Sequence, residues 1–245
     1  MYTIDKPLRI NLWSGPRNVS TALMYSFAQR ADTKVFDEPI YAHYLRVTGI
    51  DHPGRAETLA SMDHDGERVV REVILGTHDR PILFFKQMAH HLVDLDEGFM
   101  KDCLNLLLIR RPDEVVASFS KVISHPTMQD IGIKRQHQLY EDLLALGQQP
   151  LIIEGMEIRR QPEKMLSRFC EAIGIPFDPA MLAWEAGARP EDGSWAAFWY
   201  HNVHASTSFK PYIRQEPELA PHLRALVDEA QPFYEALAQH SLKID

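Results

Sequence analysis

Short apolar runs bounded by turn-forming residues recur along the chain at Leu8 to Trp13, Thr33 to Phe36, Ile82 to Phe85, Leu104 to Ile109 and Leu151 to Ile153. Each has the length of a strand rather than of a helix. The fourth, Leu104-Asn105-Leu106-Leu107-Leu108-Ile109, is almost continuously apolar, as a strand covered on both faces should be. Segments with helical spacing lie between these runs. The predicted class is therefore α/β, with three layers: a central parallel sheet flanked by helices.

The helix after the fourth run starts with Pro112 at its first position and Asp113 and Glu114 at its positive dipole end. Its apolar side reads Val115, Phe119, Val122 and Ile123. Further helices are expected over Lys134 to Leu146, Pro162 to Ile173 and Pro221 to Gln239, with Gly147 and Gly174 placed to terminate the first two. The segment Gly187 to Gln215 has no clear period and is rich in aromatic, Ser, Thr and His residues, which reads as a functional loop or lid. No repeat or composition break divides the chain, so residues 1–245 are read as one domain.

A net charge of -8 argues against nucleic acid as a partner, because such binding needs a basic surface to displace counterions. The opening residues Met1 to Pro7 lack the features of a secretory signal, and no apolar run reaches membrane-spanning length. With Cys103 and Cys170 the only cysteines, a reducing cytoplasm is the expected setting. The 12 histidines show no metal-ligand spacing, so no metal site is expected.

Two segments carry anion-binding chemistry. The first strand runs into Ser14-Gly15-Pro16-Arg17-Asn18-Val19-Ser20-Thr21 and then a helix, a P-loop-like arrangement in which backbone N–H groups, hydroxyls and the helix dipole can receive a phosphate. An ordinary βα turn with Ser20 as N-cap is the alternative. Aligned from Gly15 on the pattern GxxxxGK[ST], Ser20 takes the second glycine position and Thr21 the lysine position, so the phosphate-reaching lysine is missing. The second segment is Arg110-Arg111-Pro112 through Ser118, which sets guanidinium groups at a strand's carboxyl end and a hydroxyl on the following helix. A surface arginine with Ser118 as a small packing residue is its alternative. A nucleotide kinase would place a metal-binding Asp where Arg110 and Arg111 stand.

The loop Gly15 to Thr21 and the R-x-P-x5-S pattern from Arg110 to Ser118 together resemble the sulfotransferase superfamily. That resemblance implies a donor, 3′-phosphoadenosine 5′-phosphosulfate (PAPS), released as PAP. Arg17, Asn18, Val19, Ser20 and Thr21 would receive the 5′-phosphosulfate, and Arg110 and Ser118 the 3′-phosphate at the nucleotide's other end. Val19 replaces the more usual glycine.

Transfer to a hydroxyl or amine needs a proton acceptor and a cation facing the leaving oxygen. Phe36-Asp37-Glu38-Pro39 resembles an acidic segment near the acceptor in bacterial family members, implying Glu38 as base with Asp37 as alternative. Ile82 to His91 resembles the strand that delivers a catalytic lysine, here Lys86. The family's histidine position holds Met88, which leaves His90 or His91 as substitute bases. The late aromatic segment resembles a bacterial and plant group of sulfotransferase-like domains, some fused to an aminotransferase-like protein. The glycine-rich closing segment of cytosolic members is absent, so Ser206, Thr207 and Lys210 are expected to cover the donor while Trp195, Trp199 and Tyr200 line the acceptor pocket. A hydrophobic staple anchoring the loop is the alternative for those aromatics. The expected activity is metal-independent sulfuryl transfer from PAPS to a small-molecule acceptor. A P-loop kinase and a non-catalytic PAP-binding module are the alternatives, and the oligomeric state is left open, a homodimer included.

Overall fold

The computed structural model describes residues 6–121, 123, 125–214 and 216–244. Strand β1 (Leu8–Ser14) enters helix α1 (Ser20–Phe27), and β2 (Thr33–Asp37) enters α2 (Tyr41–Thr48). After β3 (Ile82–Met88) and β4 (Leu104–Ile109) come α3 (Pro112–Phe119) and α4 (Ile133–Ala145). Strand β5 (Leu151–Glu154) leads into α5 (Gly155–Arg160) and α6 (Pro162–Ala172), and α7 (Pro221–Ala238) follows near the end. The five strands are parallel in the order β2-β3-β1-β4-β5.

Alternation along β4 explains why its apolarity is continuous. Leu106 and Leu108 pack on the layer containing Leu23, Phe27, Leu166 and Phe169 from α1 and α6. Leu107 and Ile109 pack on the other layer, with Val116, Leu139, Leu143 and Leu237 from α3, α4 and α7. The predicted α/β architecture is present, and all five expected strands form it. Gly147 and Gly174 end their helices in the left-handed region, at φ 79° and 74°, where a Cβ would be strained.

Two local expectations change. Helix α3 ends at Phe119, and Ile123 is exposed rather than on a buried face; Val122 lies outside the described residues, as do Met1 to Asp5 and Gln215. The expected long loop holds two single-turn helices, Ala196–Trp199 and His201–His204. It is fastened at several points: Phe209 packs edge-on against Trp184 at 5.1 Å, Tyr25 donates to Asp192 at 2.7 Å, and His204 contacts Asp192 at 2.9 Å.

The carboxyl ends of β1, β2, β3 and β4 converge on one edge of the sheet, where parallel α/β sheets hold their ligands. Buried Gln136 of α4 ties two of these ends together, donating to Trp13 O at 3.2 Å and Leu108 O at 2.9 Å. Among the described residues no helix is long and apolar enough to cross a membrane.

Candidate active site

A cleft of about 910 Å³ opens at these strand ends. Its wall includes the loop Gly15 to Ala22, and Glu38, Lys86, His90, Arg110 and Ser118 from the strand ends and following turns. Trp195, Trp199, Tyr200, Ser206 and Lys210 close it from the late segment. Thr207 does not line the cleft: its chain is held outside, with its carbonyl accepting from Trp184 N at 2.9 Å, and the neighbouring Ser208 lines the wall instead.

The loop is locked by its own side chains. Asn18 donates to Leu108 O at 2.9 Å and accepts from Val19 N at 2.9 Å, so its amide holds the loop to β4 rather than facing a ligand. Gly155 makes this possible, since a Cβ there would stand 2.2 Å from Asn18 Oδ1. The Ser20, Thr21 and Ala22 stretch opens α1 along the cleft wall with no side-chain cap, leaving the first-turn N–H groups for a ligand. Arg17 sits at φ 58°, a left-handed conformation that costs a non-glycine residue about 1 kcal/mol or more.

The two anion segments meet. Arg17 Nε donates to Ser118 Oγ at 3.0 Å, across 101 residues of sequence. Arg110 donates to the Arg17 carbonyl and, through Nε, to Glu114 at 3.1 Å. The expected separate cradles are thus one continuous cationic corner, with the Arg17 side chain on the Ser118 side. Burial, and then the charge of Arg110, lower the pKa of Arg17. Arg159, which the sequence reading did not single out, joins the corner: it lines the cleft and holds the late segment by donating to Lys210 O at 2.8 Å and Pro211 O at 3.0 Å. It stands on α5, the helix that directly follows β5, and a basic residue in the first turns after a strand's carboxyl end is the signal that could have found it.

Lys86 is buried, and its ammonium is met by Asp37 at 2.8 Å, by Glu38 and by the Tyr200 hydroxyl at 2.6 Å. Tyr200 in turn donates to Asp37 at 2.8 Å and accepts from Trp195 Nε1 at 3.1 Å. Burial opposes the lysine's charge, but Asp37, Glu38 and Tyr200 outweigh it and hold the pKa well above its ordinary value. For Glu38 burial dominates; it raises the pKa against the pull of Lys86, and Asp37 adds to the rise. Glu38 stands at φ 46°, aiming its carboxylate back at the end of β3.

The expected histidines lie alongside. His91 packs against the rings of both Tyr41 and Tyr44, each centroid 4.6 Å away, with Nδ1 3.7 Å from Glu38 Oε2. Burial, followed by the effect of His52, pushes the His90 pKa down to about 4, and its Nδ1 has no hydrogen-bond partner. Tyr41 and Tyr44 were missed as wall residues because their helix, α2, is short and lacks a clear amphipathic period in sequence, whereas His91 follows β3 in the turn Ala89–His91. Among the described residues no group of at least three His, Cys, Asp or Glu side chains is arranged to hold a metal ion.

Comparison with known proteins shows what the chain resembles. Branched-chain-amino-acid aminotransferase-like proteins 1 and 2 of Arabidopsis thaliana are 41% and 40% identical over 96% and 94% of this chain. The chain covers only 42% and 41% of their lengths. A sulfotransferase from Alicyclobacillus acidocaldarius superposes with a TM-score of 0.53 at 15% identity, over 98% of each chain. The sulfotransferase domain of the Synechococcus PCC 7002 olefin synthase gives 0.51 at 16% identity, over 93% of this chain and 96% of that one. Mouse sulfotransferase SULT7A1 complexed with PAP gives 0.51 at 12% identity, over 98% of this chain and 90% of that one. At such identities these structures establish the shared fold. The sulfotransferase domain model itself matches residues 8–241, from the first strand past the last helix, and the chain belongs to that family.

Proposed function

We propose that this chain transfers a sulfuryl group from PAPS to a hydroxyl or amine of a small molecule, without a metal. The observation that carries the reading is the contact of Arg17 with Ser118, which joins two anion-binding segments from distant parts of the sequence into one corner beside Lys86 and Glu38. Arg110 and Ser118 suit the 3′-phosphate, with Arg159 and Lys210 near enough to reinforce them. The capless opening of α1, with Ser20 and Thr21, suits the 5′-phosphosulfate. When bound, PAPS supplies an activated sulfuryl group on a phosphate leaving group. The neighbour bound to PAP and the two buried thiols Cys103 and Cys170, suited to a reducing cytoplasm, support this reading.

Glu38 serves as the base that takes the acceptor's proton, its raised pKa bringing it closer to the working pH. Lys86 supplies positive charge where the leaving oxygen develops negative charge. These roles are coupled: once Glu38 is protonated its hold on Lys86 weakens, and one ammonium N–H becomes free for that oxygen. Burial keeps His90 neutral and only weakly basic, which favours Glu38 over it.

Calorimetric titration with PAP in the presence of a chelator should show binding, and radiolabelled PAPS should pass its sulfate to members of an acceptor panel. Binding that appears only with Mg²⁺ and ATP would instead indicate a kinase. The tight engagement of Lys86 by three partners favours one other reading, a PAP-binding module without turnover; PAP binding with no transfer to any acceptor would establish it. Arg110→Ala should weaken PAP far more than adenosine 5′-phosphosulfate, which lacks the 3′-phosphate. Equal weakening of the two would remove the assignment of Arg110.

A further inference from the structure

The cleft is divided by charge. Four of its cations, Arg17, Arg110, Arg159 and Lys210, are associated with the anion corner, and Lys86 is matched by two carboxylates. The remaining lobe is lined by Tyr44, Asp51, His52, His90, Asp130 and Trp199, and among the described residues that line it there is no lysine or arginine. Tyr44 meets His90 at 5.4 Å and His52 at 6.1 Å between ring centroids, so these side chains form one continuous surface. One Asp130 oxygen is fixed by Thr127, accepting from its backbone N–H and hydroxyl at 2.7 Å each, which aims the carboxylate; its other oxygen has no hydrogen bond among the described residues.

Three histidines in or beside this lobe could have cancelled the carboxylates, but burial lowers the pKa of His52, His90 and His91, so all three are neutral near pH 7. Among the described residues no lysine or arginine pairs with Asp51 or Asp130, and both carboxylates act electrostatically on His52. Buried His91, 1% exposed, and its neighbour His90 each present an Nδ1 without a hydrogen-bond partner. A neutral imidazole nitrogen accepts an N–H or O–H, and an aromatic face with adjacent carboxylates attracts a cation.

Resting on the transfer reading above, we propose that this lobe selects an acceptor carrying positive charge: an alcohol that bears a protonated or quaternary amine. Asp51, Asp130 and the rings of Tyr44 and Trp199 receive the cation, and Glu38 receives the hydroxyl. The transfer balances: a bond forms between the acceptor oxygen and sulfur, the bond from sulfur to the donor's bridging oxygen breaks, and the proton passes to Glu38.

Calorimetry on the PAP-loaded protein tests this with two matched pairs. The first is choline against its carbon isostere, in which a tert-butyl group replaces trimethylammonium. The second is tyramine against ethylphenol. In at least one pair the cation should bind about tenfold tighter, the combined effect of a cation–π contact and a partly exposed ion pair. Asp130→Asn and Asp51→Asn should each shrink that ratio while PAP affinity stays unchanged; the Asn at 130 keeps an oxygen for Thr127, and residue 51 is exposed, so neither should disturb folding. Equal or tighter binding of the neutral member in both pairs overturns the proposal, as does binding of no member while PAP binds. Failure of PAP itself to bind refutes the transfer reading beneath it.

Discussion

The two ends of one cleft solve opposite electrostatic problems. Lys86 is fully buried but lies within a hydrogen-bonded set of Asp37, Glu38 and Tyr200 that neutralises it. Arg17 is only partly buried and, among the described residues, has no carboxylate paired with it; its partners are a hydroxyl and, nearby, a second arginine. The first arrangement satisfies itself, so its loss falls on the fold. The second is incomplete without an external anion, so its loss falls on binding. A cation held against another cation in a cleft is a stronger mark of a ligand site than a buried ion pair, which structural cores also contain.

The largest expected effect is at the satisfied end. Lys86→Met removes the cation and leaves Asp37 and Glu38 buried together with no compensation, which should cost about 3–5 kcal/mol of unfolding free energy in a urea titration. Circular dichroism at low denaturant would show whether the chain still folds. A loss below about 1 kcal/mol would mean that the two carboxylates protonate or rehydrate easily, and the contrast between the two ends would disappear.

Arg17→Ala should do the reverse. Its hydrogen bond to Ser118 is local, and removing it relieves repulsion with Arg110, so unfolding free energy should stay within about 0.5 kcal/mol of the parent. PAP affinity should fall by roughly 10- to 100-fold, as expected for loss of a hydrogen bond between charged groups. Parallel urea and calorimetric titrations separate the two quantities. Destabilisation without loss of PAP affinity would assign Arg17 to the fold instead.

The same contrast explains what could be read from the sequence. The strand runs were visible because each is bounded by turn residues and buried on two faces, and the anion segments because short local spacings encode a strand, a turn and a helix start. What escaped were relations made only in three dimensions. Asn18 looked like a ligand donor, yet its amide reaches Leu108 O, a contact set by Gly155 from a different strand end. Tyr200 lines the cleft as expected, but its hydroxyl also completes the surroundings of Lys86, 114 residues away, which no spacing could show. The helices between Tyr41 and Ile74 are short, and several of their buried positions are polar or aromatic, such as His43, Tyr44 and Thr58, which blurs any apolar period. Thr207 and Ser208 are adjacent, and only the bridge between Ala183 and Ser208 decides which of them faces the cleft.

A third effect, spread over the pH range rather than felt at one pH, sharpens the comparison from the anion end. Glu154 closes β5 close to Arg110, and one of its buried carboxylate oxygens has no hydrogen-bond partner. Burial raises its pKa to about 7, against a hydrogen bond from Met156 and with help from Glu114 and Glu157. Because the folded-state value lies above the unfolded one, its contribution to stability is fully present below the ordinary carboxylate range. That contribution is lost as pH rises through about 7. Between those limits Glu154 should therefore subtract about 3 kcal/mol from stability, and Glu154→Gln should abolish that part of the slope. Urea midpoints for parent and variant across that window provide the measurement. PAP, by placing negative charge near Arg110, should push the Glu154 pKa higher still and steepen the parent's slope on its basic side. A slope identical in parent and variant would mean that water already reaches the carboxylate, and that the anion corner is less sealed than its packing shows.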